Sequence, residues 1–144
     1  MKNILLISSG LSPQIITETL CFYSQQSQPI YFDEIHVITG ITGKRLIMNN
    51  LLSGERYLDQ LINDYQLENK IKFSEKNIHV LIDKDGKKID DLLTLNQNKA
   101  AINQIFELVD RLTEDENSRL IASIAGGRKT MSVIVGQAII HKLA

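Results

Sequence analysis

Four short apolar runs, separated by longer amphipathic stretches, set the rhythm of the chain. Ile4-Leu5-Leu6-Ile7 is continuously apolar and ends in Ser8-Ser9-Gly10, as a strand buried on both faces of a parallel sheet would. Ser12-Pro13 predicts a helix start, with Ser12 as N-cap and Pro13 at the first helical position. Ile16, Leu20 and Tyr23 share one face of that helix, which frays in the polar stretch Ser24 to Gln28. Glu34-Ile35-His36-Val37-Ile38-Thr39 reads as a second strand ending at Gly40. Residues 44–66 keep helical spacing, with Met48, Leu51, Leu58, Leu61 and Tyr65 on one stripe and Gly54 as a possible break. Ile78-His79-Val80-Leu81-Ile82 is the third strand; Asp85-Gly86 is a turn signal, and Lys87-Lys88-Ile89 is expected to return as a short extra strand. Residues 95–113 form the next helix, with Ile102, Ile105, Phe106, Val109 and Leu112 expected inward. The strand Arg119 to Ile124, the pair Gly126-Gly127 and a last helix from about Arg128 to Leu143 complete the pattern.

The order β-α-β-α-β-(β)-α-β-α predicts an α/β fold, a mainly parallel sheet with helices on both faces. Neither repeats nor linkers interrupt residues 1–144, so a single domain is expected. A helix as apolar as Met131 to Leu143 would ordinarily lead into another strand. The expectation is therefore the front of a longer protein, or an unusually small domain.

Composition narrows the setting. A chain of 144 residues with 43% hydrophobic and 23% charged residues suits an ordinary globular domain. Its 16 Lys+Arg against 17 Asp+Glu argue against coating duplex DNA or RNA by bulk charge. A single cysteine, Cys21, leaves no internal disulfide, so a cytoplasmic home is expected. No apolar run approaches the ~18 residues of a membrane span, and the amino terminus lacks the features of a signal peptide.

In open parallel sheets, ligands bind beyond the carboxyl ends of the strands, where strand order reverses. Three such ends carry small and polar residues: Ser8-Ser9-Gly10-Leu11-Ser12-Pro13-Gln14, Thr39-Gly40-Ile41-Thr42-Gly43-Lys44, and Ala125-Gly126-Gly127-Arg128-Lys129-Thr130. The last is the most informative. Gly126 and Gly127 permit positive φ and close backbone approach, so successive amides can face one anion. The following helix adds its positive end, and Arg128 and Lys129 add two cations. Cations at a helix N-terminus oppose the dipole, which makes sense with an anion between them. In the first loop, Ser8, Ser9 and Ser12 suit a ribose or phosphate, with Gln14 and Thr17 on the turn behind. The same Ser-Pro is also an ordinary helix start. Strands one and four are expected to be neighbours, which would join the two loops.

Other motifs fail. Gly127-Arg128-Lys129-Thr130 lacks the spacing of a P-loop, and no G-x-G-x-x-G signals a dinucleotide. Asp83-Lys84-Asp85-Gly86 lacks the further ligands of a calcium loop and reads as a hairpin turn. His36, His79 and His141 show no metal-ligand spacing, so neither metal nor cofactor is expected. Glu18 is a candidate catalytic carboxylate, or more simply a partner of the helix dipole.

The stretch Gly10-Leu11-Ser12-Pro13-Gln14-Ile15-Ile16-Thr17-Glu18-Thr19-Leu20, the strand Glu34 to Thr39 and Ala125-Gly126-Gly127-Arg128-Lys129-Thr130-Met131 resemble the CRISPR-associated CARF domains. The likeness is greatest to the subfamily with Leu-Ser-Pro-Gln and Ala-Gly-Gly-Arg-Lys-Thr-Met loops, whose middle segment Ile89-Asp90-Asp91-Leu92 to Asn96 also resembles. The resemblance implies a Rossmann-like homodimer that binds a cyclic oligoadenylate, most often the tetra-adenylate, in type III CRISPR antiviral defence. It implies ligand contacts from Ser8, Ser9, Gly10, Leu11, Ser12, Pro13 and Gln14, from Thr39 and Gly40, and from Ala125, Gly126, Gly127, Arg128, Lys129 and Thr130. It further implies an allosteric sensor with a C-terminal effector module, through a missing part of which the whole protein could be tethered to a membrane. The alternative in the same superfamily is a slow, metal-independent ring nuclease, with Lys129, Arg128 and Ser12 as candidate catalytic residues.

Overall fold

The computed structural model describes residues 1–52, 63, 71–92, 94–124, 126 and 129–143. Strand β1 (Lys2–Ser8) leads into helix α1 (Gln14–Ser24), β2 (Glu34–Thr39) and α2 (Ile41–Ile47). A π-helical turn follows at Met48–Leu52, then a 3-10 turn at Glu75–Asn77 and β3 (Ile78–Val80). Helix α3 (Leu95–Leu112), β4 (Ser118–Ser123) and α4 (Lys129–Leu143) end the described chain. The four strands form one sheet in the order β3-β2-β1-β4, and every pair is parallel.

The apolar run of β1 explains its central place. Ile4, Leu5, Leu6 and Ile7 are each at most 2% exposed, because alternate side chains enter two different cores. Leu5 and Ile7 join Ile35 and Val37 of β2, Ile16 and Leu20 of α1, and Ile47 on one face. Leu6 and Ile38 meet Ala101, Ile105 and Val109 of α3 and Met131, Ile134 and Val135 of α4 on the other. Burial of each such aliphatic side chain contributes roughly 1.5–3 kcal/mol, so the sheet is clamped from both sides. Helix α3 starts at a capping box: Thr94 Oγ1 accepts from the Gln97 amide at 3.1 Å, and Gln97 Oε1 accepts from the Thr94 amide at 3.0 Å.

The expected α/β architecture is present, with local differences that have physical causes. The helix after β2 begins at Ile41, not at residue 44, because the Asp90 carboxylate accepts from the Thr42 amide at 3.0 Å and caps it. The later part of the 44–66 stripe, with Gly54, Leu58, Leu61 and Tyr65, lies outside the described residues. The third strand stops at Val80 rather than Ile82, and the expected return strand is reduced to one antiparallel bridge, Ile82 to Lys88. Asp83 organises that turn: its Oδ1 accepts from the amides of Asp85 and Lys87, each at 2.9 Å, and Gly86 takes φ +80°. Ile102, expected inward, is 38% exposed, since the buried stripe of α3 runs through Ala101, Ile105, Leu108 and Val109.

Candidate functional site

Parallel pairing of β1 with both β2 and β4 puts the reversal of strand order between β1 and β4. The ends of these two strands meet as expected from the sequence, and small residues hold them together. Ser8 Oγ donates to the Gly126 carbonyl at 2.6 Å, and Ser132 Oγ of α4 reaches the same carbonyl at 2.9 Å. The two hydroxyls lie 3.1 Å apart. A Cβ on Gly126 would stand 2.8 Å from the Ser8 carbonyl oxygen and 3.0 Å from Ile15 Cγ2. Gly126 therefore serves close approach, letting the last loop nest between β1 and the first turn of α1. It does not take positive φ.

The second loop is fastened in the same way. The Ser9 amide donates to the Ile38 carbonyl at 3.0 Å, and Thr39 Oγ1 donates to the Ser9 carbonyl at 2.7 Å. A Cβ on Gly43 would come within 3.0 Å of the Gly10 carbonyl oxygen and collide with Thr39 Oγ1. Ser8, Ser9 and Thr39 are completely buried and form the floor of the crevice. Ser9 Oγ is buried without a partner, an arrangement that typically costs about 1–3 kcal/mol and sits here where the first loop is fastened to the end of β2.

The rim is different. Leu11, Ser12, Gln14, Lys129 and Thr130 are exposed, Gly10 is half-buried and Pro13 is buried. Pro13 has helical angles, φ −64° and ψ −15°, and the Ile15 amide donates to the Ser12 carbonyl at 3.3 Å. The Ser12 hydroxyl makes no hydrogen bond among the described residues, so the serine that reads as a cap keeps its side chain free. Lys129, the first residue of α4, has no ion-pair partner among the described residues. Thr17 is turned away, its hydroxyl donating to the Gln14 carbonyl at 3.0 Å. Glu18 is exposed and lies beyond the first turn of α1, where the dipole has faded. Ala125, Gly127 and Arg128 lie outside the described residues.

Beside Gly40 the crevice is closed to anions. Asp90 accepts from both the amide and the hydroxyl of Thr42, each at 3.0 Å, so a carboxylate already occupies the start of α2. Lys44 is committed to Glu75 at 2.9 Å. On the other side, at the start of α4, Lys129 is an exposed cation without an ion-pair partner among the described residues.

A second polar cluster lies under α3, among residues to which spacing had given no role. Glu34 Oε1 and His36 Nε2 are 2.6 Å apart, and His36 Nδ1 and His79 Nε2 are 2.9 Å apart, with the rings stacked. Lys2 pairs with Glu34 at 3.3 Å. Burial would raise the Glu34 pKa, but hydrogen bonds from His36 and Lys2 outweigh it and hold the carboxyl below its ordinary value. Burial pushes His36 down against the pull of Glu34. Burial also lowers His79, to about 4, helped by the nearby charges of His36 and Arg111. The sequence signal was the alternation of Glu34 and His36, which puts both on one face of β2. The β2–β3 register, which pairs Ile38 with His79, was not readable.

The family profile described as CRISPR-associated protein NE0113 matches residues 12–141. The chain belongs to that family. Membership of the NE0113 family gives the protein a role in CRISPR defence, in line with the CRISPR-associated grouping that the loop motifs resemble. The NE0113 match takes in Ser12-Pro13-Gln14 at the start of α1 as well as Gly126, Lys129 and Thr130 at the last loop and the start of α4. No individually curated protein matches the chain. Among the described residues, no helix is long and apolar enough to cross a membrane.

Proposed function

We propose that this NE0113-family protein senses a cyclic oligoadenylate, with cyclic tetra-adenylate the first choice, at the crevice between β1 and β4. The observation that carries the reading is the pairing of a rigid buried floor with an exposed rim of free polar groups. Ser12, Gln14, Thr130 and Lys129 offer hydroxyl, amide and ammonium groups at the starts of two helices, where backbone amides favour phosphates. Gly10, Leu11 and Pro13 shape one wall. Ala125, Gly127 and Arg128 would complete the phosphate turn, and Gly40, beside the Asp90 carboxylate, would meet through its backbone a neutral sugar or base of the ligand and not a phosphate. Ser8, Ser9 and Thr39 act from below, by fixing the loops. A small tetra-anion needs only such a local cluster, which is compatible with a net charge of −1.

A ring with repeated units fits a twofold dimer, since each subunit then supplies the same contacts. Binding would bias the arrangement of the two subunits and, through it, an effector module. Light scattering should accordingly give about twice the 16.3 kDa chain mass, and a strict monomer with ligand present would remove the twofold site.

The free Ser12 hydroxyl and Lys129 ammonium also support a second reading, a slow ring nuclease. A ribose 2′-hydroxyl would attack the adjacent 3′-phosphate and form a 2′,3′-cyclic phosphate as the P–O5′ bond breaks; the 2′ proton would pass to water and the departing 5′-oxygen would take one from water, with Lys129 and Arg128 stabilising the charge that develops and Ser12 positioning the phosphate. Titration with cyclic tri-, tetra- and hexa-adenylate, followed by chromatography of the recovered ligand, separates the two. A ring returned intact means a sensor, linear product means a nuclease, and absence of binding contradicts both.

A further inference from the structure

We propose that the cavity between β3 and α3 is a second ligand site, built for one phosphate monoester of mononucleotide size. The cavity measures about 320 Å³ and is open to solvent. Its apolar walls include Ile38, Ile78 and Leu108, and its polar lining includes His79, Glu107 and Arg111. That volume is at the small end of ligand pockets, which run from roughly 300 to 1,000 Å³, and so suits a mononucleotide rather than an oligonucleotide.

The hydrogen-bond order of the relay decides the chemistry. At His36 Nε2 the Glu34 carboxylate oxygen stands at 2.6 Å and the Asn77 amide nitrogen at 3.4 Å, so the short charged contact decides: Glu34 accepts from His36 Nε2–H, and neutral His36 accepts at Nδ1 from His79 Nε2–H. His79 Nδ1 is left as a bare acceptor. The Arg111 guanidinium bears on both imidazoles and makes no ion pair or hydrogen bond of its own among the described residues. The cavity therefore presents a free fork of donors and an imidazole acceptor.

A phosphate monoester satisfies both at once. Its oxygens accept the guanidinium fork, and its second ionisation, near pH ~6, supplies one proton to share with His79. The shared proton sits on phosphate oxygen or on Nδ1 with no change in the total. A diester has no such proton. A carboxylate without a bound proton would fill the fork and leave the imidazole unsatisfied. The other charges facing His79 fit this assignment: Glu34 is screened behind His36, Lys72 adds positive charge near His36, and Glu107 stands one turn before Arg111 on α3. Glu107 disfavours a second phosphate and would accept from sugar hydroxyls or a base amino group.

The test follows the His79 imidazole resonances of the intact chain while adenosine 5′-monophosphate, inorganic phosphate or adenosine 3′,5′-cyclic monophosphate is added. The monophosphate should shift the resonances saturably and raise the His79 pKa from about 4. Arg111→Gln, at an exposed position, should weaken it roughly tenfold or more, as loss of a charge-assisted hydrogen bond does. Inorganic phosphate should bind more weakly, and the cyclic diester more weakly still. Any of three results would overturn the proposal: an unmoved His79 with the monophosphate in the millimolar range, a diester or inorganic phosphate that binds as well, or an Arg111→Gln protein that binds equally.

Discussion

The crevice over β1 and β4 and the imidazole relay under α3 are polar places in one apolar sheet, built in opposite ways. At the crevice, the buried groups are neutral hydroxyls, those of Ser8 and Thr39 spent on backbone carbonyls and that of Ser9 unpaired, and the charge stands outside on Lys129. In the relay the charge is inside: Glu34 is 9% exposed and is answered by an imidazole at 2.6 Å. The contrast separates two uses of polarity. Hydroxyl–carbonyl bonds fix loop geometry without burying charge, so the rim is free to take a charged ligand. A buried carboxylate must be answered by neighbours, so the relay is bound to stability and to pH.

If this contrast is correct, damage to the relay should show most in stability. His36→Ala leaves Glu34 with Lys2 alone and should destabilise the fold by about 1.5–3 kcal/mol, as loss of a hydrogen bond to a buried charged group does. Denaturant unfolding with unchanged stability would break the distinction. Gly126→Ala comes next. Its Cβ would stand 2.8 Å from the Ser8 carbonyl, and such overpacking costs about 1–3 kcal/mol, a loss of roughly 3–10 °C in Tm for a chain near this size. Thermal melts should show this even without ligand.

Mild acid should have a smaller effect. Both imidazoles titrate below their ordinary value of 6.5 when folded, so the unfolded chain takes up protons first. Their stabilisation is full above about pH 6.5 and is lost as the pH falls towards the His79 value of about 4. Discounted for solvent screening at half-open His79, the loss is on the order of 1–2 kcal/mol. Glu34, held low, adds a further loss only below its ordinary 4.5. Unfolding free energies that stay flat between pH 7 and 4.5 would contradict the buried neutral relay. Smallest of all is Lys129→Ala in the absence of ligand, where an exposed position predicts a change within ~0.5 kcal/mol.

The same contrast explains what the sequence disclosed. The crevice is written in contiguous segments, so Ser8 to Gln14 and Gly126 to Thr130 could be read as loops and joined by the rule that strands one and four are neighbours. Burial inside the loops was not readable: nothing local distinguishes Ser8, tied to Gly126, from free Ser12. Asp90 closes the start of α2 from 48 positions away in sequence, and nothing local to either segment signals that contact. The relay joins β2, β3 and α3 through strand register, and register across a crossover is not a local property. The edge of the α3 stripe at Ile102 was misjudged for a related reason, since side-chain spacing leaves the helix rotation open by about one position.

Calorimetry of cyclic tetra-adenylate binding to the native chain and to Lys129→Ala tests the central claim most directly. The account predicts one ring per two native chains, and for Lys129→Ala an affinity lower by about 1.5–3 kcal/mol, as for a charge-assisted hydrogen bond, with an unchanged melting curve. A native chain that takes up no ring, or a Lys129→Ala protein that binds it equally well, would contradict the crevice between β1 and β4 as the sensing site.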